Sequence, residues 1–316
     1  MRKEVPPILL IIFTRLETTK QVFQAIREVT PKQLFIAADG ARYEKPGEKE
    51  KCEVVRKYVL ENIDWECEIK TLFQEKNLGC GQGIATAISW FFSYVEEGII
   101  LEDDCLPSLS FFYYCKELLN KYREDVRIYH IAGFNPLTYT KTKHSYYFAR
   151  IQHGWGWASW RRAWEKYSFN INDLDNFIKQ KKINKIFKRS VDRNWWIDIF
   201  KKMEKHDGND IWDYQWAYAI LNNDGICINP SKNLVTNIGF GQDATHTFDT
   251  NSIYANQQRY EISDILHPKK IKLNKCFINE INKVAFGINT VSCYTKSKAI
   301  IKKCIKCLLS FFTSKD

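Results

Sequence analysis

The chain has 316 residues, of which 45% are hydrophobic and 15% aromatic, so it can bury a large core and is not intrinsically disordered. Its net charge of +10 is uneven, because residues 269–316 carry eleven lysines against two acidic residues. The remaining body is nearly neutral. This distribution argues against a nucleic-acid partner and predicts that the basic tail meets an anionic membrane surface.

Strands alternate with helices through the first 132 residues. Apolar runs predict buried strands at 8–13, 34–38, 67–73, 98–101 and 126–132, and helical spacing predicts helices at 18–28, 49–62, 84–95 and 108–122, with a glycine-rich turn at 77–83. This alternation is typical of βαβ units in a mainly parallel sheet. The second half is less regular, with predicted helices near 173–180, 193–206 and 211–222 and short strands at 226–229 and 234–237.

The N-terminus and the cysteines both favour a cytoplasmic location. The first apolar run is too short for a signal peptide, and no stretch of about 18 apolar residues could span a membrane. Among ten cysteines only Cys304 and Cys307 form a C-x-x-C pair, so we expect free thiols in a reducing cytosol. We expect the protein to lie in the cytoplasm or on the inner face of the cytoplasmic membrane.

Charged side chains follow several of the predicted strands. Arg15 follows the first strand, Asp39 the second, and Glu102-Asp103-Asp104 the strand at 98–101. Ligands of parallel α/β sheets bind outside the carboxyl ends of the strands. Carboxylates together with phosphate oxygens bind Mg²⁺ or Mn²⁺, which suits a nucleoside diphosphate ligand. The alternative for Asp104 is that it caps the next helix.

Together with two later motifs, these residues resemble a known family. The motifs are His153-Gly-Trp-Gly-Trp157 and Trp212-Asp213-Tyr-Gln-Trp216. Over about residues 7–248 the chain is similar to bacterial GT-A glycosyltransferases related to α-mannoside N-acetylglucosaminyltransferase I. The resemblance implies a Rossmann-like α/β fold of the GT-A nucleotide-diphospho-sugar transferase type, with a central, mainly parallel mixed sheet.

The resemblance also implies roles for the residues that follow the strands. Arg15 would lie near the uracil of a UDP-sugar, and Asp39 would hydrogen-bond the base. Glu102 would face the donor sugar, Asp103 the ribose, and Asp104 would bind Mn²⁺ or Mg²⁺.

Two further segments would complete the site. Gly154, Trp155, Gly156 and Trp157 would lie beside donor and acceptor, since glycines allow close backbone approach and indoles pack on sugar faces. The alternative is a tryptophan-rich core loop. Asp213 would be the general base of an inverting transfer.

The general base, Asp213, and a second proposed metal ligand, His246, each have an alternative interpretation. The alternatives for Asp213 are a helix N-cap, or Asp210 in its place as the base. By analogy with other GT-A enzymes, His246 in the loop at 239–247 would bind the metal. Alternatively this loop closes over the diphosphate, with His246 or Thr245 donating to it.

The chain is predicted to contain a transferase domain at 1–268 and a basic extension at 269–316. The domain would divide into a nucleotide-binding half at 1–135 and an acceptor and catalytic half at 136–268. Residues 296–312 form either an amphipathic membrane-surface helix or a helix packed on the body.

The predicted function is inverting, metal-dependent sugar transfer from a UDP-sugar to a glycan or lipid-linked glycan. The donor sugar stays open between N-acetylglucosamine, galactose and galactofuranose. Alternatives are a nucleotidyltransferase and a non-catalytic, membrane-attached nucleotide-sugar-binding protein.

Overall fold

An eight-stranded mixed sheet runs through the protein, with helices on both of its faces. The computed structural model describes residues 4–205, 210–241, 252 and 254–288. The strands are β1 (Ile8–Ile12), β2 (Gln33–Ala38), β3 (Glu68–Phe73), β4 (Glu97–Glu102), β5 (Cys105–Pro107), β6 (Ile128–Ala132), β7 (Tyr146–Ala149), β8 (Trp157–Trp160), β9 (Ile226–Pro230) and β10 (Val235–Asn237).

Ten helices are found in the described part of the chain. They are α1 (Leu16–Val29), α2 (Glu48–Glu61), α3 (Gly79–Tyr94), α4 (Leu109–Tyr122), α5 (Arg161–Trp164), α6 (Leu174–Lys179), α7 (Lys182–Ile186), α8 (Ser190–Glu204), α9 (Asp213–Asn222) and α10 (Lys275–Phe286).

The strand order is β3-β2-β1-β4-β8-β6-β9-β7. Strands β8 and β7 pair antiparallel with their neighbours, and the other strands of this sheet run in one direction. The fold is therefore the expected mixed, mainly parallel α/β architecture of the Rossmann-like type. Beyond the end of β4, strands β5 and β10 pair as a short antiparallel ribbon, with Cys105 opposite Asn237.

The apolar runs form strands because both faces of the sheet are covered. In β1, Leu10 contributes to a core cluster with α1, α2 and α4, whereas Leu9 contributes to a second cluster with α3, α5 and α9. Both side chains are fully buried. A continuous apolar sequence is the expected pattern for such a strand, since neither face meets water.

Two elements differ from the sequence prediction in ways that affect the site. Helix α3 begins at Gly79, inside the segment predicted as a glycine-rich turn, because carboxylates from elsewhere in the chain accept its first amide protons. The predicted tryptophan loop ends in β8, which lies antiparallel between β4 and β6. Strand β8 has no alternating pattern because all four of its residues are buried.

The start of the basic extension packs against the body. Helix α10 buries Ile278 and Ile281, and the ring of Phe277 lies 4.7 Å from that of Tyr147 in β7. The domain boundary at residue 268 stays a prediction. The segment at 296–312 lies outside the described residues. No helix in the described ranges is long and apolar enough to cross a membrane.

Candidate functional site

A cavity of about 250 Å³ opens at the carboxyl ends of β1, β2 and β4. This is the edge of the sheet at which the charged residues were expected to meet. Its lining includes seven of the residues that the sequence singled out: Arg15, Asp39, Glu102, Asp103, Asp104, Trp155 and Asp210.

Arg15 bridges two buried carboxylates at the floor of this cavity. Its Nη2 donates to Asp103 Oδ1, and its Nη1 lies 2.9 Å from Asp104 Oδ2. Asp103 Oδ2 accepts from the backbone N–H of Phe13 at 3.3 Å, and the Cys105 thiol donates to Asp104 Oδ1 at 3.4 Å. The guanidinium predicted to lie near a base is therefore engaged with the acidic trio.

The trio carries more acid than Arg15 can neutralise. Burial, followed by the charges of Asp104 and Asp103, raises the pKa of Glu102 well above its ordinary value. Burial raises the pKa of Asp103 to about 6, although Arg15 acts to lower it. Among the described residues, none donates a hydrogen bond to the carboxylate of Glu102. Clustered like charges away from water are costly, so this site favours an additional cation.

The donor atoms present fit a divalent cation that is shared with phosphate. Mg²⁺ and Mn²⁺ prefer oxygen ligands, and Mg²⁺ is commonly bound by one or two carboxylates together with substrate phosphates. Asp104 and Glu102 offer such carboxylates at the cavity. Within the described ranges, no group of three or more His, Cys, Asp or Glu side chains could hold a metal by itself. His246 lies outside the described residues.

Asp39 uses its carboxylate to begin helix α3. It accepts from the backbone N–H groups of Gly40 at 2.8 Å, Leu78 at 2.9 Å and Gly79 at 3.0 Å, and from Asn77 Nδ2 at 3.0 Å. A carboxylate offers about four acceptor positions, so these bonds fill it. Burial raises the pKa of Asp39, although the backbone hydrogen bonds lower it. The residue predicted to bind the base lines the cavity, but its oxygens are engaged with protein groups.

Asp210 is a second carboxylate at the start of α3. Its oxygens accept from the backbone N–H groups of Cys80 and Gly81, both at 2.6 Å. The sequence marked Asp210 only as a rival to Asp213. The signal that could have located it is the pair of glycines, Gly79 and Gly81, at the start of an otherwise helical segment.

The tryptophan motif is divided between the cavity and the core. Trp155 lines the cavity, whereas Trp157 is 0% exposed and its ring stacks on Trp212 at 5.7 Å and on His130 at 5.0 Å. The prediction that Trp157 contacts the donor is corrected, because its position in β8 places the indole in the core. Gly154 and Gly156 are absent from the cavity lining, and Gly156, at φ +62°, passes close to Val235.

Asp213 is the first residue of α9, one position beyond the N-cap residue Trp212. A carboxylate in the first turn interacts favourably with the helix dipole. Asp213 does not contribute to the lining of the cavity, and its charge is the smallest of the causes that raise the pKa of Glu102, after burial and the charges of Asp104 and Asp103. Gln152 Nε2 donates to the Asp213 carbonyl at 2.9 Å.

Gly239 is a site residue that sequence reasoning did not single out. It follows β10, and its N–H donates to Asn237 Oδ1 at 2.9 Å. A Cβ atom at this position would overlap the side chains of Asp104 and Arg15. The site therefore needs a residue without a side chain here.

No protein-family model matches the chain, and no curated protein matches it by sequence. Among solved structures, it is similar to a UDP-glucose pyrophosphorylase in complex with UDP-glucose, at 11% identity over 73% of this chain and 93% of that chain, with a TM-score of 0.36. The inositol-1-phosphate CTP transferase from T. maritima matches at 10% identity over 80% and 95%, with a TM-score of 0.36.

The glycosyltransferase GlyE of Streptococcus pneumoniae TIGR4 matches at 10% identity over 72% of this chain and 45% of that chain, with a TM-score of 0.30. These neighbours are of the nucleotidyltransferase and glycosyltransferase types. At such identities and scores the likeness says nothing about activity, and the fold assignment depends on the strand order and helix placement described above.

Proposed function

We propose that the protein is a glycosyltransferase that binds a UDP-sugar in the cavity at the ends of β1, β2 and β4. The observation that carries the proposal is the acidic trio at residues 102–104, which meets Arg15 at the carboxyl edge of a parallel sheet. A nucleoside diphosphate-sugar with a divalent cation brings the phosphate oxygens and the positive charge that suit this arrangement.

The cavity residues would divide the work of holding the donor. Asp104 would hold Mn²⁺ or Mg²⁺ together with the diphosphate, and Glu102 would face the donor sugar. When bound, the cation supplies Lewis-acid stabilisation of the diphosphate as it leaves. Asp103, whose oxygens accept from Arg15 and from the backbone N–H of Phe13, would hold Arg15 in place and would face the ribose of the donor.

Asp213 is the proposed general base. Its carboxylate would take the proton from the acceptor hydroxyl while that oxygen bonds to the anomeric carbon. The bond between the anomeric carbon and the diphosphate oxygen breaks, and its electron pair leaves with the diphosphate. Attack opposite the leaving group inverts the anomeric centre, and one carboxylate is then enough.

The acceptor is proposed to be a glycan or a lipid-linked glycan that enters past Trp155. This partly buried indole lies 4.5 Å from the ring of Phe134 and 5.8 Å from that of Phe240, measured between centroids. Of these rings Trp155 lines the cavity, and its indole can pack against a sugar face. The basic extension supports a peripheral membrane location, where lipid-linked acceptors would be presented.

Nucleotidyl transfer is the main alternative reaction, and the chain after β1 disfavours it. Only Phe13, Thr14 and Arg15 separate β1 from α1, so no glycine-rich phosphate-binding loop follows this strand. The products distinguish the two reactions, because sugar transfer releases UDP whereas nucleotidyl transfer releases pyrophosphate.

The proposed base is tested by Asp213→Asn, with Asp198→Asn on the exposed side of α8 as the control. UDP release from UDP-N-acetylglucosamine, UDP-galactose and UDP-galactofuranose would be measured with Mn²⁺ and a panel of sugar acceptors. We expect Asp213→Asn to bind UDP normally but to lose transfer by roughly 10²–10⁴-fold. Transfer at the wild-type rate in Asp213→Asn would remove this residue from the role.

A further inference from the structure

The glycine-rich segment at the start of α3 is the surface on which the chain leading to Asp213 docks. A Cβ atom on Gly79 would lie 2.5 Å from Asp210 Oδ2, and one on Gly81 would lie 2.8 Å from the backbone nitrogen of Ile211. Both glycines are thus required by the close approach of residues 210–211.

Asp210 makes the polar part of this contact. Its two hydrogen bonds to Cys80 and Gly81 satisfy amide protons that the first turn of a helix leaves without partners. A helix N-terminus is a ready site for an anion. In this protein the carboxylates of Asp210 and Asp39 already occupy the N-terminus of α3, so the donor diphosphate would bind at the other end of the cavity, near Arg15.

The three residues that follow Asp210 are held one by one through their carbonyl groups. The carbonyl of Ile211 accepts from Gln215 Nε2 at 3.0 Å, and that of Trp212 accepts from the Tyr167 hydroxyl at 3.3 Å. Gln152 Nε2 holds the carbonyl of Asp213 at 2.9 Å. Asp210 precedes these three residues and joins the segment to α3 through its hydrogen bonds to Cys80 and Gly81.

We infer that Asp210 is a positioning residue, which fixes the backbone of residues 210–213 against α3 and so places the Asp213 carboxylate beside the donor site. This inference rests on the proposed function for the identity of the base. It differs from the reading in which Asp210 is itself the base, because its oxygens are occupied by backbone amides.

Three variants test the inference. Asp210→Ala removes both hydrogen bonds, and Asp210→Asn keeps one acceptor oxygen. Gly81→Ala leaves the carboxylate intact but displaces Ile211 through its new Cβ. Asp198→Asn is the control, as a surface carboxylate on α8 outside the cavity lining.

The first readout needs no substrate. Hydrogen exchange of the wild-type chain and each variant would be followed in peptides covering residues 78–83 and 210–216. We expect faster exchange in both peptides for Asp210→Ala and Gly81→Ala, less change for Asp210→Asn and none for Asp198→Asn. Unchanged exchange in Asp210→Ala would overturn the inference even if the protein binds UDP normally.

The second readout is kinetic. We expect Asp210→Ala and Gly81→Ala to lower kcat by about tenfold or more with the KM for the donor unchanged, because small displacements of catalytic groups can cost up to about 10²-fold. Asp210→Asn should recover part of this loss. The acidic limb of the pH–rate profile should persist in Asp210→Asn and disappear in Asp213→Asn. Disappearance in Asp210→Asn alone would make Asp210 the base and overturn the positioning role.

The proposed function and the positioning role of Asp210 can be refuted independently of each other. A wild-type protein that binds no nucleotide would refute the proposed function, while the exchange experiment would still decide whether Asp210 fixes the segment.

Discussion

Replacing Arg15 by methionine removes the guanidinium that stands between two buried carboxylates. The side chains of Asp103 and Asp104 are 4% and 9% exposed, and that of Arg15 is 21% exposed. Breaking a buried ion pair by deleting one partner costs about 3–5 kcal/mol, because the remaining charge is left without compensation. Since Arg15 is partly exposed, we expect the lower end, about 3 kcal/mol.

The assay is thermal unfolding of Arg15→Met without nucleotide or metal at pH 8 and pH 5. A loss of about 3 kcal/mol corresponds to a Tm lower by roughly 4–5 °C in a chain of this size, because the entropy of unfolding is about 2.1 cal/mol/K per residue. Arg27→Met is the matched control, because its ion pair with Asp64 is largely exposed, at 42% and 55%. We expect the control to leave Tm unchanged.

The pH dependence has a definite sign. The pKa of Asp103 is raised from 3.8 to about 6, so folding of the protein favours the protonated form of this carboxyl group. The stability that this group contributes is present below about pH 4 and is lost as the pH rises through about 6. Without Arg15 this pKa rises further, so the loss of Tm in Arg15→Met should be smaller at pH 5 than at pH 8. An equal loss at both values, or a Tm within 2 °C of wild type, would refute the reasoning.

Two pairs of substitutions separate site from core. Gly239→Ala should lower the free energy of unfolding by about 1–3 kcal/mol in urea, because its Cβ overlaps Asp104. Gly154→Ala is the matched control and should leave the free energy of unfolding unchanged, because its Cβ would lie 3.4 Å from the nearest ring atom. Trp157→Ala should cost about 3–5 kcal/mol in the same assay, since its indole is fully buried. Trp155→Ala should cost less and should weaken binding of the sugar substrate, as measured by calorimetry.

Each of these comparisons has a contradicting result. Equal stability of Gly239→Ala and Gly154→Ala would show that the turn relaxes without disturbing Asp104. A Trp157→Ala variant that is as stable as wild type but loses donor binding would return this residue to the site.

The sequence was sufficient to predict the parallel part of the fold. Strands such as β1 and β2 are continuous apolar runs, because helices cover both of their faces. Charged residues after β1, β2 and β4 gave the edge at which the cavity lies. Strand β8 was missed because a buried four-residue strand has no alternation, and its indoles, together with the glycines that precede it, also fit a ligand loop.

The side-chain partners in the site were harder to predict. Arg15, Asp39 and Asp210 were recognised as polar residues near strand ends or a helix start, but their partners come from distant parts of the sequence. Asp39 and Asp210 share one helix N-terminus although 171 positions separate them in the chain. Such pairing follows from how β2 and the segment before α9 meet α3, and no local pattern carries that information.

The central claim is that the carboxylates at the end of β4 bind a nucleoside diphosphate together with a divalent cation. Isothermal titration of the wild-type protein with UDP, GDP and CDP, each with and without Mn²⁺, tests it most directly, with Asp104→Ala as the comparison. We predict that UDP binds only with Mn²⁺ and that Asp104→Ala abolishes this binding while the protein stays folded. Binding of none of the three nucleotides in either condition, or metal-dependent binding that survives in Asp104→Ala, would contradict the claim.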